Sequence, residues 1–240
     1  MEIIRIDDLS KKYKDTLAVD GLSLSIEKGE LFSLLGVNGA GKTTTIRMLS
    51  CLTMPTDGDA FICGQSIRKN AELIKSKIAV SPQESAIAFN LSVEENLMLM
   101  AGVHGFKSHE CREKCERLTE QFNLKEVLKK RAGKLSGGWQ RRLSIAMALI
   151  SEPEILFLDE PTLGLDVIAR RELWDIIENL KGKTTIILTT HYMEEAEALS
   201  DRIAVMKCGK LIALGTLGEL KEATGKNSLE DAFVSLVKEG

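Results

Sequence analysis

A glycine-rich turn between an apolar run and a helical segment limits most strongly what this chain can fold into. Residues 36–43 read Gly-Val-Asn-Gly-Ala-Gly-Lys-Thr, a pattern that surrounds phosphate groups when it follows a strand and opens a helix. The preceding run, Leu31 to Leu35, predicts a strand, and a helix is predicted from about Lys42 to Leu52. Backbone N–H groups and the helix N-terminus would attract the anion. Lys42 would then reach the β- and γ-phosphates, and the Thr43 hydroxyl would bind Mg²⁺.

A second segment with anion-binding character lies far downstream. The residues Leu135-Ser136-Gly137-Gly138-Trp139 precede a helix predicted from about Gln140 to Ile150. Two glycines and a serine at a helix start offer backbone donors and a hydroxyl group. Taken alone, such a segment is also typical of a flexible turn, so its meaning depends on the rest of the chain.

A third segment combines an apolar strand with two carboxylates. The run from Ile155 to Leu158 predicts a buried strand, and Asp159 and Glu160 follow it directly. At the carboxyl end of a parallel strand, this pair would face the crevice where ligands bind. Asp159 is suited to hold Mg²⁺, and Glu160 is suited to polarise a water molecule aimed at the γ-phosphate. Without the upstream loop, the same residues would be a strand followed by a charged loop.

The order of predicted elements indicates an α/β protein. The first third of the chain favours strands over Ile3 to Asp8, Leu22 to Ile26 and Ala60 to Cys63, broken at Asp20-Gly21 and Lys28-Gly29. From Ser92 to about Leu128 the pattern is helical, with Ser92 and Ser108 as predicted N-caps. Strands and helices then alternate, which is typical of a mostly parallel sheet with helices on its faces.

Charge and hydropathy exclude two classes of protein. The net charge is −3 and the sequence pI is about 5.8, whereas a surface for phosphate backbones would move both values upward. We therefore expect no nucleic-acid partner. No stretch approaches the roughly 18 uninterrupted apolar residues of a membrane helix, and the first residues lack the pattern of a signal peptide. The chain is expected to stay in the cytoplasm.

In this order, the motifs resemble those of the ATP-binding subunits of ABC transporters, over almost the whole length. The signature segment, together with the other motifs, is specific to that family, although Trp139 stands where glutamine is commonest. Segments around the phosphate loop, the D-loop and residues 190–197 are similar to the drug-, sodium- and antibiotic-export branch. The resemblance rests on the Walker A loop at 36–43, a Q-loop residue Gln83, the signature at 135–139, Walker B at 155–160, a D-loop at 163–166 and a switch histidine, His191.

The resemblance implies a fold and its segments. The expected fold is a P-loop NTPase core with a mostly parallel sheet, an antiparallel β lobe at the N-terminus and an inserted α-helical subdomain. The predicted segments of this single ATP-binding domain are a core over about 1–84 and 135–215, a helical lobe over about 85–134 and C-terminal helices over about 216–240.

The resemblance also implies a role for each matching residue. Tyr13 would stack on adenine, although without the resemblance it is equally well explained as an aromatic at an edge-strand end. Asp166 would couple two nucleotide sites. The implied catalytic residues are Glu160, His191 and Lys42, and the implied Mg²⁺ ligands are Thr43, Gln83 and Asp159. The implied nucleotide-binding residues are Tyr13, Gly36, Asn38, Gly39, Ala40, Gly41, Lys42, Thr43, Thr44, Ser136, Gly137 and Gly138.

Finally, the resemblance implies partners. Two cassettes, identical or closely related, would meet head to tail, with each ATP between one phosphate loop and the other signature segment. A separate transmembrane permease would bind the helical lobe, at the cytoplasmic face of the membrane. The apolar runs 86–89 and 98–100 are expected to form this docking surface, unless they pack the lobe onto the core. Alternative functions are a soluble ABC-type ATPase with a non-membrane target and a nucleotide-binding switch without hydrolysis, against which Glu160 argues.

Overall fold

The computed structural model describes residues 1–84 and 86–239, which form two sheets surrounded by helices. The strands are β1 (Glu2–Tyr13), β2 (Thr16–Glu27), β3 (Leu31–Leu35), β4 (Asp57–Ile62), β5 (Gln65–Ser66), β6 (Ile78–Ser81), β7 (Ile155–Asp159), β8 (Thr185–Thr190), β9 (Arg202–Lys207) and β10 (Lys210–Gly215). The helices are α1 (Lys42–Leu49), α2 (Ala71–Lys75), α3 (Val93–Val103), α4 (Ser108–Gln121), α5 (Gly137–Ala148), α6 (Val167–Glu178), α7 (Met193–Leu199), α8 (Leu217–Thr224) and α9 (Leu229–Glu239).

The larger sheet confirms the predicted mostly parallel arrangement. Its strand order is β10-β9-β3-β8-β7-β6, and only the β9–β10 pair is antiparallel. Every residue of β3, β7 and β8 is buried, as expected for strands covered by helices on both faces. The short edge strand β6 was not predicted from the sequence, because four residues carry little periodicity.

Alternate side chains of the central strands belong to two different apolar clusters. Leu31, Leu156 and Ile186 pack on one face with the apolar sides of α3 to α6. Their neighbours Phe32 and Phe157 pack on the other face with α1 and the smaller sheet. This division follows the two-residue period of a strand. The helical lobe therefore shares one continuous apolar core with the sheet.

The N-terminal strands are longer than the sequence pattern indicates. Strands β1 and β2 each have twelve residues and join β4 and β5 in an antiparallel sheet of order β2-β1-β4-β5. The predicted break at Asp20-Gly21 is wrong, because β2 continues through it with an irregular register. Gly21 has a φ of 62°, and its N–H donates to the Ser10 hydroxyl at 2.8 Å. The glycine therefore marks a bulge rather than a strand end.

The helical lobe contains both predicted helices. Ser92 caps α3 in a capping box with Glu95, as predicted. The predicted cap at Ser108 is wrong by one residue: Lys107 is the N-cap, and its N–H donates to the Glu110 carboxylate at 2.8 Å. Helix α5 also begins earlier than predicted, with Ser136 as its N-cap, and α1 ends earlier, at Leu49.

The chain ends with two helices packed on the edge of the larger sheet. Thr216 caps α8 through a capping box with Glu219, and Leu220, Leu229 and Phe233 pack against Val205. Among the described residues, no helix is long and apolar enough to cross a bilayer. The predicted helical lobe begins at residue 85, and the predicted C-terminal helices end at residue 240. Both of these residues lie outside the described ones.

A buried carboxyl group connects the end of β8 to the surrounding helices. Glu195 on α7 is fully buried, and the Trp174 indole donates to its Oε1 at 3.1 Å. Among the described residues, none makes a hydrogen bond of normal geometry to its Oε2. Burial raises the pKa of Glu195 above its usual value of 4.5, against the opposite influence of Thr190, Thr162 and Trp174.

The substitution Glu195→Gln should make the protein more stable than wild type at about pH 8 and equally stable near pH 4. A carboxyl whose pKa is raised by folding favours the folded state below its ordinary pKa, and this advantage is lost as pH rises through the raised value. The Gln side chain does not ionise and still accepts from Trp174. Thermal unfolding by circular dichroism across this pH range measures the difference.

A suitable control is Glu197→Gln, on the same helix, where the carboxylate is partly exposed and pairs with Lys221 at 2.9 Å. The stability of Glu197→Gln relative to wild type should not increase as the pH rises. Parallel pH profiles of wild type and Glu195→Gln would contradict a raised pKa of Glu195 in the folded state.

Candidate active site

The glycine-rich segment forms a tight loop between β3 and α1. A Cβ at Gly36 would lie 2.5 Å from the Met206 carbonyl oxygen, so only glycine fits at the start of the loop. Gly41 has a φ of 102°, and a Cβ there would lie 2.5 Å from the Ala18 carbonyl oxygen. These close approaches place the loop against β9 and β2. The backbone can therefore approach a ligand without side chains in the way.

Strand register brings the other functional residues to the same edge of the sheet. Leu35 of β3 pairs with Thr190 of β8, and Asp159 of β7 pairs with Thr189. Three features therefore lie at the same level of the sheet. They are the loop after β3, the two carboxylates at the end of β7, and His191 after β8. Ligands of open α/β sheets bind at these carboxyl ends.

Lys42, Glu160 and His191 form a connected charged group. The Lys42 ammonium lies 3.2 Å from Glu160 Oε1, and His191 Nδ1 lies 2.6 Å from Glu160 Oε2. Lys42 also donates to the Gly36 carbonyl at 2.7 Å. Lys42 and Glu160 are both buried, which requires that each charge be paired. The structure thus brings the three predicted catalytic residues together.

The two carboxylates after the strand have different surroundings. Asp159 Oδ1 accepts from the hydroxyls of Thr43, at 3.1 Å, and Thr189, at 2.5 Å. The Glu160 N–H donates to the Thr189 hydroxyl at 3.0 Å. Glu160 has a φ of 47°, a strained conformation that is common at functional sites. Asp159 therefore faces the start of α1, whereas Glu160 turns toward Lys42 and His191.

A cavity of about 720 Å³ lies above this group. A volume in the range of roughly 300–1,000 Å³ is typical of sites for small organic ligands. Thr16, Leu17, Ala18 and Cys208 were not predicted to line it. These four residues lie near the loop because of contacts between strands that are distant in the chain. The sequence therefore carries no local signal for them. The predicted residues that line it are Asn38, Gly39, Ala40, Gly41, Lys42, Thr43, Thr44, Gln83, Glu160 and His191.

Other predicted residues lie outside this cavity. Tyr13 is 41% exposed at the end of β1 and lies beneath the Lys11 ammonium, so stacking on adenine stays a prediction. Asp166 caps α6, where its carboxylate accepts from two backbone N–H groups. Ser136 and Gly137 are exposed at the start of α5, and Ser136 and Gly138 line a separate cavity of about 660 Å³. Gly36 and Asp159 do not line the cavity, but each accepts a hydrogen bond from a residue that does.

A phosphate loop follows the buried strand β3, an acidic pair stands at the end of the parallel strand β7, and a histidine follows β8, which lies between them. Together these features define a P-loop ATPase. The sequence profile of the family described as ABC transporter matches residues 19–163. The daunorubicin resistance ATP-binding protein DrrA3 of Streptomyces coeruleorubidus is 41% identical over 95% of this chain and 72% of its own length.

Solved structures agree with this assignment. An ATP-binding subunit of an ABC transporter has a TM-score of 0.86 and 30% identity, over 98% of this chain and 99% of its own. The dimeric ATP-binding cassette MJ0796, in a post-hydrolysis state bound to ADP and Pi, has a TM-score of 0.80 and 26% identity, over 89% and 98%.

The chain belongs to the ABC transporter family, and it is an ATP-binding and ATP-hydrolysing subunit. Subunits of this kind act with a membrane permease and with a second ATP-binding subunit. The fold and the class of function expected from the motifs are thereby confirmed. An ABC-type ATPase with a non-membrane target is not favoured.

Proposed function

We propose that this chain hydrolyses ATP through Glu160 to drive export by a permease on a separate polypeptide. The observation that carries the proposal is the position of the Glu160 carboxylate between Lys42 and His191, at the wall of the cavity behind the phosphate loop. A carboxylate at this place can accept a proton from a water molecule that attacks the γ-phosphate.

The loop residues bind the phosphate chain in this proposal. Their backbone N–H groups and the N-terminus of α1 attract the β- and γ-phosphates, and Lys42 contacts both. His191 contacts the γ-phosphate from the opposite side of Glu160. These groups stabilise negative charge on the transferred phosphoryl group, which is the main task of a phosphoryl-transfer enzyme.

The oxygen atoms near the start of α1 fit Mg²⁺. Thr43 Oγ1 and Asp159 Oδ1 are 3.1 Å apart, and a hydroxyl and a carboxylate are ligands that this hard cation prefers. The Gln83 side chain lines the same cavity and would add an amide oxygen. When bound, the ion would neutralise charge on the β- and γ-phosphates.

We further propose a head-to-tail dimer of cassettes, either two copies of this chain or this chain with a close relative. Ser136 and Gly137 are exposed at the N-terminus of α5 and do not line the cavity that Lys42 lines, which is the arrangement needed if they serve a partner's nucleotide. The dimeric state of the solved relative supports this. Asp166 would help couple the two sites.

The transported compound is proposed to be a drug-like or lipophilic molecule, chosen by the permease. The daunorubicin resistance relative supports this class. The chain would lie at the cytoplasmic face of the membrane, held there by the permease.

The surface for the permease is proposed to centre on Phe89 and Leu99. Their side chains are 54% and 49% exposed, and exposed apolar side chains in one region can mark a binding site. The two predicted apolar runs divide in the structure: Ile87 is buried in the lobe, and Met98 and Met100 pack against its core. The first run therefore contributes Phe89 to the surface, and the second contributes Leu99.

The substitution Glu160→Gln should reduce ATP turnover by roughly 100- to 10,000-fold, because the amide cannot accept the proton. ATP should still bind, since the phosphate loop is unchanged. Phosphate release and equilibrium binding of a fluorescent ATP analogue measure the two properties. With hydrolysis blocked, an ATP-held dimer should accumulate in size-exclusion chromatography. Normal turnover would refute the catalytic role, and a monomer at saturating ATP would refute the dimer.

Lys42→Ala and Ser136→Ala should have different effects on the isolated chain. Lys42→Ala should weaken ATP binding, because the ammonium contacts the phosphates directly. Ser136→Ala should leave binding to the monomer unchanged and reduce only hydrolysis, because its hydroxyl serves the partner's nucleotide. Mixing the two variants creates one site with both lesions and one with neither. The mixture should regain part of the ATPase activity, and no recovery would contradict the head-to-tail arrangement.

Phe89→Ala should leave the melting temperature and basal ATPase of the isolated subunit unchanged and reduce transport by the assembled complex. The exposed ring contributes little to folding of the free subunit. The matched control is Ile87→Ala, which should destabilise the subunit by about 2–5 kcal/mol because Ile87 is buried. A destabilised Phe89→Ala subunit, or normal transport by a stable one, would contradict the docking role.

A further inference from the structure

The side chain of Arg141 is buried between α5 and the end of β7. Its Nη2 donates to the carbonyl oxygens of Asp159, at 2.9 Å, and Glu160, at 2.7 Å. Its Nε donates to the carbonyl oxygen of Pro161 at 2.7 Å. One guanidinium group thus holds three consecutive carbonyls around the proposed proton acceptor.

The same group also holds the segment that carries Gln83. Arg141 Nη1 donates to the carbonyl oxygens of Pro82, at 2.5 Å, and Gln83, at 3.3 Å. Three nitrogen atoms therefore serve five carbonyls in two separate segments. A planar guanidinium can span such a set, whereas a lysine ammonium is a compact group on a flexible stem.

The charge of Arg141 persists in this buried position. Burial lowers the pKa of Arg141 to about 10, while Asp159, Glu195 and Glu160 act to raise it. The group is therefore a cation at neutral pH, and its contacts are charge-assisted hydrogen bonds.

The backbone of Glu160 is held from two directions. Its N–H donates to the Thr189 hydroxyl on β8, and its carbonyl accepts from Arg141 on α5. Strand β8 belongs to the sheet, which cannot shift without breaking its pairing. Helix α5 is the element whose N-cap is Ser136, and Ser136 is proposed to contact the partner's nucleotide. A shift of α5 would therefore act on Glu160 through Arg141.

We propose that Arg141 is the positioning residue that couples the signature helix α5 to Glu160 and Gln83, so that engagement of Ser136 by the partner aligns the carboxylate for hydrolysis. The proposal rests on the proposed function. Arg141 touches no nucleotide and acts through the backbone of the residues it holds.

The first test is steady-state ATPase kinetics of Arg141→Lys. We expect kcat to fall by about 10- to 100-fold, because small displacements of a catalytic group have effects of this size. KM and the affinity for a fluorescent ATP analogue should change less than about twofold, since the phosphate loop does not contact Arg141. An unchanged kcat, or a loss of ATP affinity in proportion to kcat, would overturn the proposal.

A matched control is Arg202→Lys. Arg202 also donates to a backbone carbonyl, that of Ser25 at 3.3 Å, and pairs with Glu30 at 3.3 Å, away from the cavity. Its substitution should lower the melting temperature without changing kcat. A fall in kcat as large as that of Arg141→Lys would show that loss of an arginine's backbone and ion-pair contacts lowers kcat through stability, and this would overturn the positioning role.

The decisive test combines Arg141→Lys with Ser136→Ala. If Arg141 transmits the contact made by Ser136, the double variant should be no slower than the slower single variant. Multiplied losses would mean that the two residues act independently, and the proposal would be wrong. If Arg141→Lys is unfolded at the assay temperature, Arg141→Gln, which places no charge in the buried position, is subjected to the same comparison.

The failure of this proposal is distinguishable from failure of the proposed function. If Glu160→Gln retains normal turnover, Glu160 is not the proton acceptor and the proposed function fails first. If Glu160→Gln is inactive but the Arg141 and Ser136 losses multiply, only the coupling role fails.

Discussion

The pairing of β8 with both β3 and β7 is the constraint on which the active site depends. This pairing sets Leu35 beside Thr190 and Thr189 beside Asp159, so three loops leave the sheet at one level. A slip of one residue would exchange the faces of a strand and move its apolar side chains into the wrong cluster. Burial on both faces therefore specifies the register, and the register specifies the distances among Lys42, Glu160 and His191.

Those distances also explain why a charged carboxylate is stable in a buried position. Glu160 has a partner on each oxygen, and Lys42 is shared between the carboxylate and the loop carbonyls. Removing one charge would leave the other unpaired in a region of low dielectric constant. The same ammonium group is proposed to contact the phosphates. Fold stability and affinity for nucleotide would then depend on one set of charges.

Much of this arrangement could be predicted from local sequence. The strand before the phosphate loop has the predicted bounds, because a strong apolar run and turn residues mark its ends. The bulge at Gly21 and the burial of Ile87 could not be predicted, since both depend on partners distant in the chain. Arg141 left no signal at all, because its partners are backbone carbonyls, which every residue carries.

The phosphate loop is attached to two neighbouring segments before any nucleotide arrives. Gly209 N–H donates to the Ala40 carbonyl, and Asp20 N–H donates to the Gly209 carbonyl, which connects the loop to the turn before β10 and to β2. A loop held in this way has little conformational entropy left to lose. Ligand binding to a preorganised segment avoids the ordering cost that opposes association elsewhere. In the proposed dimer, more of the favourable free energy of the phosphate contacts would then remain to draw two cassettes together around the nucleotide.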